Sequence, residues 1–117
     1  MSDHKNSLER YIGQLLKKID KYARPTKASG ASTELGDILN NYFLVECKQQ
    51  RTTENPKINK STWKKLLSEI PMGSLKIPFL ALENKGNDIF IALDHKDFFS
   101  LVYKLHELGG LEWVRKR

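Results

Sequence analysis

The sequence predicts a single α/β domain in which helices flank one mixed, mainly four-stranded sheet, in the order α-β-β-α-β-β-α. Apolar residues recur at three- and four-residue spacing in three separate segments, near the start, the middle and the end of the chain. Between these segments lie two pairs of short apolar runs, each pair broken by an asparagine-bearing turn. With 117 residues there is material for one core, so residues 1–117 are read as one unit with a short basic tail at about 111–117.

Each element has its own warrant. Leu8, Ile12, Leu15, Leu16 and Ile19 mark an amphipathic helix from about residue 6 to 22, weakened at Gly13 by about 1 kcal/mol relative to alanine. RPTKASGASTELG has no periodicity and reads as a loop. Two strands follow, roughly 35–39 and 42–49, joined by Asn40-Asn41, whose side chains tolerate the backbone of a tight hairpin. QRTTENPKINK, 50–60, is a polar, exposed loop. Ser61 is the expected N-cap of a helix carrying Trp63, Leu66, Leu67 and Ile70 on one face, stopped by Pro71 and Gly73. IPFLALE (77–83) and DIFIALD (88–94) are apolar strands around Asn84-Lys85-Gly86-Asn87. Asp94 caps a last helix whose stripe of Phe98, Leu101, Val102, Leu105 and Leu108 is expected to be buried, and Gly109-Gly110 ends it.

A hydrophobic fraction of 39% and a charged fraction of 29% argue against wholesale disorder. The single cysteine, Cys47, cannot form an intrachain disulfide, which suits a reducing compartment. No stretch resembles a signal peptide or a membrane span, so the expectation is a soluble, cytoplasmic protein with no membrane partner. Twenty basic against fourteen acidic residues give +6, a field that attracts polyanions, with nucleic acid the first partner to consider and an acidic membrane surface the second. His4, His95, His106 and Cys47 lack any metal-ligand spacing among themselves.

The charged end of the first hairpin holds the candidate chemistry. Strand alternation puts Tyr42, Leu44, Glu46 and Lys48 on one side and Phe43, Val45 and Cys47 on the other, so Glu46 and Lys48 project together while Cys47 belongs to the core. A turn at Asn40-Asn41 brings Asp37 level with Glu46. Two carboxylates and a scissile phosphate can hold Mg²⁺ while leaving it several waters, and a neighbouring lysine can serve the attacking water. Spacing alone favours a plainer reading, an exposed ion pair beyond a buried strand. Glu9, three residues before Ile12 and seven before Leu16, borders the buried stripe of the first helix and so can face the same end of the hairpin.

Asp37, eight intervening residues, then Glu46-Cys47-Lys48 after an apolar strand resembles the PD-(D/E)XK motif of the restriction-endonuclease-like nucleases. Glu9-Arg10 on the first helix and a basic Ser/Gly loop, with Arg24 or Lys27 and Ser29-Gly30, make the chain most similar to the archaeal and phage Holliday junction resolvases; the likeness spans roughly residues 8 to 93. It implies a restriction-endonuclease-like core and a homodimeric, Mg²⁺-dependent endonuclease, with Mn²⁺ as a substitute, acting on branched or double-stranded DNA in the cytoplasm. It implies Asp37, Glu46 and Glu9 at the metal, with the Val45 or Cys47 backbone carbonyl, and Lys48 at the water. Arg10, Arg24 or Lys27, Ser29 and Gly30 would contact flanking phosphates, and Arg51 and the 50–60 loop DNA further out.

Two features depart from the motif. Gly36 stands where its name has proline, and the loop from Arg24 to Asp37 is longer than in the archaeal proteins. A restriction or repair nuclease of the same fold, and a non-catalytic nucleic-acid-binding module, are the competing readings. Phe90, Phe98, Phe99 and Tyr103 exceed what one helix face needs and are candidates for a dimer interface, while Arg115, Lys116 and Arg117 are placed to steer DNA.

Overall fold

The computed structural model describes residues 3–26 and 36–116. The elements are α1 (Asp3–Leu16), β1 (Arg24–Pro25), β2 (Ile38–Leu39), β3 (Phe43–Gln49), α2 (Lys60–Ser68), β4 (Ile77–Glu83), β5 (Ile89–Leu93), α3 (His95–Glu107) and α4 (Gly110–Lys116). Strands β3, β4 and β5 form a mixed sheet in that order, with β3 parallel to β4 and β4 antiparallel to β5. A parallel pair needs a long crossover, and α2 supplies it. The register runs from Phe43 opposite Ile77 to Gln49 opposite Glu83.

The sheet has three strands, not four. β2 is two residues long and pairs with β1, a strand absent from the sequence expectation, so that Arg24 faces Leu39 and Pro25 faces Ile38. Among the described residues, the segment entering β2 meets β3 through one backbone bond, from Asp37 N–H to the Val45 carbonyl at 2.7 Å, and β2 forms no ladder with β3. The reason lies at the two ends of this segment. Gly36 turns the chain with φ 73° just before Asp37. The Asn40 side chain then takes over the turn: its Oδ1 accepts from Tyr42 N–H and Phe43 N–H, and its Nδ2 donates to the Ile38 and Phe43 carbonyls.

Both faces of the sheet are covered by a helix. On one, Leu8, Ile12 and Leu16 of α1 pack with Ile38, Val45, Phe79 and Ala81, and Phe43 meets Phe79 edge-on at 5.3 Å between ring centres. On the other, Leu66 of α2 packs with Leu44, Leu80 and Leu82, with Trp63 and Ile70 at the margin. The strand alternation read from the sequence accounts for this division, since Phe43, Val45 and Cys47 lie on the α1 side and Leu44 on the α2 side. Each fully buried Leu or Ile contributes about 1.5–3 kcal/mol of hydrophobic stabilisation.

Several boundaries differ from expectation. α1 stops at Leu16, leaving Leu15 and Ile19 exposed. The buried Asp20 receives Tyr22 N–H at 3.1 Å and Asn41 N–H at 2.8 Å, so the chain leaves the helix to tie it to the β2–β3 turn. Asn59, not Ser61, caps α2, because its Oδ1 accepts from the backbone of both Ser61 and Thr62. Asp94 caps α3 as predicted, by accepting from Lys96 N–H. The buried stripe expected on that helix is absent: no residue of α3 is buried, and Phe98, Leu101 and Leu108 stand in the open. Beyond Gly109 the expected tail is a helical turn, α4. Among the described residues no helix is long and apolar enough to cross a membrane.

Candidate active site

Asp37 sits immediately before β2, and its position is fixed twice over. Its N–H donates to the Val45 carbonyl at 2.7 Å, while its Oδ2 accepts from Cys47 N–H, also at 2.7 Å. The carboxylate is thereby clamped to the middle of β3, beside the residue that precedes Cys47. Gly36 is what allows this approach. A Cβ at that position would lie 2.8 Å from the Val45 carbonyl oxygen, and the positive φ is one that proline cannot adopt. The departure from the motif's proline therefore follows from local geometry.

Glu46 projects from the next position of β3, with Lys48 two residues on, and the Lys48 Nζ lies 3.3 Å from Glu46 Oε2. The lysine side chain is about half exposed and the glutamate a quarter exposed, so the pair opens to solvent. Glu9 approaches from α1. Its Oε1 is buried and, among the described residues, has no hydrogen-bond partner, a rare condition for a carboxylate oxygen and one that costs about 1–3 kcal/mol or more.

Electrostatics bind these groups into one set. Burial raises the Glu9 carboxyl above its ordinary value, and the neighbouring Asp37 and Glu46 charges raise it further. Burial also raises Asp37; the Cys47 N–H and Lys48 oppose the rise, whereas Glu46 and Glu69 add to it. Glu9, Asp37 and Glu46 are thus electrostatically coupled, with the Lys48 ammonium opposing the rise at Asp37. Burial and the same three carboxylates push the Cys47 thiol strongly upward, so it is a core thiol and no nucleophile. Its side chain packs against the α1-side core.

The chain matches no protein-family model, no curated protein and no solved structure. The residues of the site must therefore be judged by their own geometry.

A divalent cation suits the donor set, because an orphaned carboxylate oxygen, two raised carboxyls and a clamped aspartate with its second oxygen uncommitted to Cys47 are what a bound cation would relieve. Among the described residues, no three His, Cys, Asp or Glu side chains are gathered into a ready-made cage. A site of one or two carboxylates completed by waters and substrate phosphate is the usual arrangement for Mg²⁺. Of the two backbone carbonyls considered, Val45's already accepts from Asp37 N–H. In a strand the N–H and C=O of one residue point to the same edge, so the Cys47 carbonyl faces the edge where its N–H meets Asp37.

The other sequence candidates lie around the acids on α1, β1 and the segment after β3. Arg10 and Arg51 occupy exposed positions on α1 and just beyond β3, and Arg24 Nη1 donates to the Pro25 carbonyl at 3.1 Å within β1. Lys27, Ser29, Gly30 and Arg117 lie outside the described residues. Sequence reasoning missed Glu69, the C-cap of α2, which is close enough to add its field to Asp37. No spacing rule links residue 69 to residue 37; only the crossover brings them near each other.

Proposed function

We propose that this protein is a Mg²⁺-dependent, structure-selective endodeoxyribonuclease of restriction-endonuclease-like type that cuts four-way junctions or other branched DNA. The observation that carries the reading is the buried, unpartnered Glu9 Oε1 beside Asp37 and Glu46, with Lys48 held 3.3 Å from Glu46. A purely solvated ion pair at a strand end would leave no orphaned oxygen and no raised aspartate behind it. The chain's net charge of +6 supports a polyanionic substrate.

In this reading Asp37, Glu46 and the Cys47 carbonyl hold the cation, with Glu9 supporting them. When bound, Mg²⁺ supplies a Lewis acid against the phosphate oxygens. Asp37 is kept in place by its own backbone bond and by Cys47, so the constellation needs little reorganisation. Lys48, steered by Glu46, orients water for attack on phosphorus and offers a positive charge to the phosphate. The P–O3′ bond breaks, leaving 5′-phosphate and 3′-hydroxyl ends. Arg10, Arg24 and Arg51, with Lys27, Ser29 and Gly30 from outside the described residues, are assigned to flanking phosphates.

The proposal includes a second copy of the chain. β5 is an edge strand, and Ile89, Phe90 and Ile91 on it are exposed together with Phe98, Phe99, Leu101 and Tyr103 of α3. The exposed parts of Phe90, Phe98, Phe99, Tyr103 and Trp113 amount to nearly three whole aromatic side chains, about 550 Å² at about 200 Å² each. With the aliphatic neighbours this approaches the roughly 800 Å² per partner of a standard interface. A junction of near two-fold symmetry calls for two matched cuts, which a two-fold dimer provides.

The test is incubation with labelled four-way junction, duplex, flap and single-stranded DNA in Mg²⁺, Mn²⁺ or EDTA, beside Asp37→Asn and Lys48→Ala. Metal-dependent, paired symmetric nicks confined to the junction are expected, and both variants should lose at least a hundredfold in rate. Binding with every substrate left uncut in either metal would sink the enzyme and leave a binding module. Efficient cutting of plain duplex would select a restriction or repair nuclease instead.

A further inference from the structure

Beside Lys48 lies a cleft of about 210 Å³. Lys48 and Lys57 stand on its walls with Asn59 and Thr62, and Leu80 and Leu82 are on the strand behind it. None of the residues lining it is acidic. It is thus a small cationic recess with polar donors and an apolar base, opening next to the lysine of the candidate site. A phosphodiester has matching chemistry: an anion for the ammonium groups and oxygen acceptors for the polar side chains.

What makes this more than a pair of surface lysines is how Lys57 is held. The Gln50 side chain bonds the Lys57 backbone twice, accepting from its N–H and donating to its carbonyl, both at 2.8 Å. Gln50 is itself anchored, since its own N–H donates to the Glu83 carbonyl at 2.7 Å and so continues the β3–β4 ladder one residue past the strand. The loop between them is pinned at two further points, by Lys85 N–H to the Thr53 carbonyl and by Asn84 Nδ2 to the Glu54 carbonyl, each 2.9 Å. Asn59, at the end of the loop, has its amide orientation fixed by the α2 capping bonds. A polar segment with no core of its own is therefore ordered around a cleft, which spares a ligand the entropy of ordering it.

We propose that this cleft seats a phosphodiester of the cut strand adjacent to the scissile one, that Lys57 is its phosphate-binding residue, and that Gln50 is the residue that positions Lys57. The proposal rests on the DNA-nuclease reading for the identity of its ligand. Lys48 would stand between the two phosphates, at the boundary of site and subsite.

The experiment is fluorescence anisotropy of labelled four-way junction and duplex DNA in EDTA, so that nothing is cut, at a series of salt concentrations. Lys57→Ala should weaken binding several-fold and reduce the slope of log affinity against log salt by about one. Gln50→Ala removes no charge, yet should produce part of the same change in slope, and adding it to Lys57→Ala should change nothing further. Thermal melting of each variant accompanies the titrations, and a wild-type-like melt with an altered slope separates positioning from general destabilisation. An unchanged slope in Lys57→Ala, or additive losses in the double variant, would overturn the subsite even if the wild type cuts DNA. Lys57-dependent binding by a protein that never cuts would uphold the cleft as a phosphodiester site but overturn its place beside a scissile bond, together with the nuclease. Absence of DNA binding would overturn both.

Discussion

At the scale of single residues, the site is a place where charge is kept under strain. Glu9 and Asp37 have raised carboxyl pKa values, first from burial and then from neighbouring carboxylates, Asp37 and Glu46 for Glu9 and Glu46 and Glu69 for Asp37. The folded state therefore holds protons more tightly than the unfolded chain at these two groups. Their contribution favours folding below the ordinary carboxylate range and is lost as pH rises through the raised folded values. Metal-free protein should melt lower at pH 8 than at pH 5 on their account, and Mg²⁺ or Mn²⁺ should raise the melting temperature more at pH 8 than at pH 5. Glu9→Gln should raise the metal-free melting temperature at pH 8 and shrink the metal-induced shift. Differential scanning fluorimetry reads both effects, and a metal shift that is equal at the two pH values and indifferent to Glu9→Gln would contradict this account.

Gly36 is the second residue whose role is local. Gly36→Ala places a Cβ at 2.8 Å from the Val45 carbonyl oxygen on a backbone with φ 73°. A non-glycine side chain in that region costs about 1–2 kcal/mol before any clash. Urea unfolding should show a loss of about 2 kcal/mol or more, and Gly36→Pro should be worse, because the ring cannot take a positive φ. A variant within about 0.5 kcal/mol of wild type would mean that the turn at Gly36 can relax without moving Asp37.

At the scale of elements, the short β2 depends on its turn more than on its pairing. Asn40, buried, makes four side-chain hydrogen bonds across residues 38 to 43 and stands where a longer hairpin ladder would otherwise set the register. Asn40→Ala leaves two N–H groups and two carbonyls to find new partners, at about 1–3 kcal/mol for each group left buried and unsatisfied. Its stability should fall by several kcal/mol. Under the proposed function, its cutting rate at a temperature where it remains folded should also fall, because this turn sets where Asp37 meets β3. Hydrogen exchange at Phe43 and Tyr42 that stays as slow as in wild type would show that the turn does not need the side chain.

At the scale of the whole molecule, the α1 and α2 sides of the sheet are closed, and the β5, α3 and α4 region is open. Phe90 of β5, Phe98, Phe99 and Tyr103 of α3 and Trp113 of α4 are each about half exposed or more, an unusual amount of aromatic surface for one small domain to leave open. Phe98 and Phe99 meet edge-on at 5.1 Å between ring centres, and Phe99 and Tyr103 lie tilted at 6.0 Å, so the ring cluster is already assembled on one helix. Sedimentation should find the wild type as a dimer at micromolar concentration. Phe98→Asp should shift it to monomer while the melting temperature of the core changes little. A wild type that stays monomeric at tens of micromolar would remove the second copy from the proposed function.

The local code carried a large part of this protein. The helical spacing of Leu8, Ile12 and Leu16, the alternation along β3, the boundaries of β4 and the Asp94 cap were all legible in the sequence, because each depends on residues within one or two turns of one another. Strand parity alone also separated Glu46 and Lys48 from Cys47. Tertiary structure decided the rest. It made β2 a partner of β1, used Asp20 to end α1 early, and brought Glu69 to Asp37 across a crossover. It left the α3 stripe without a cover, although the same spacing on α1 is buried. Periodicity reports that a face is apolar; whether another surface meets it is settled only when distant segments, or distant copies, come together.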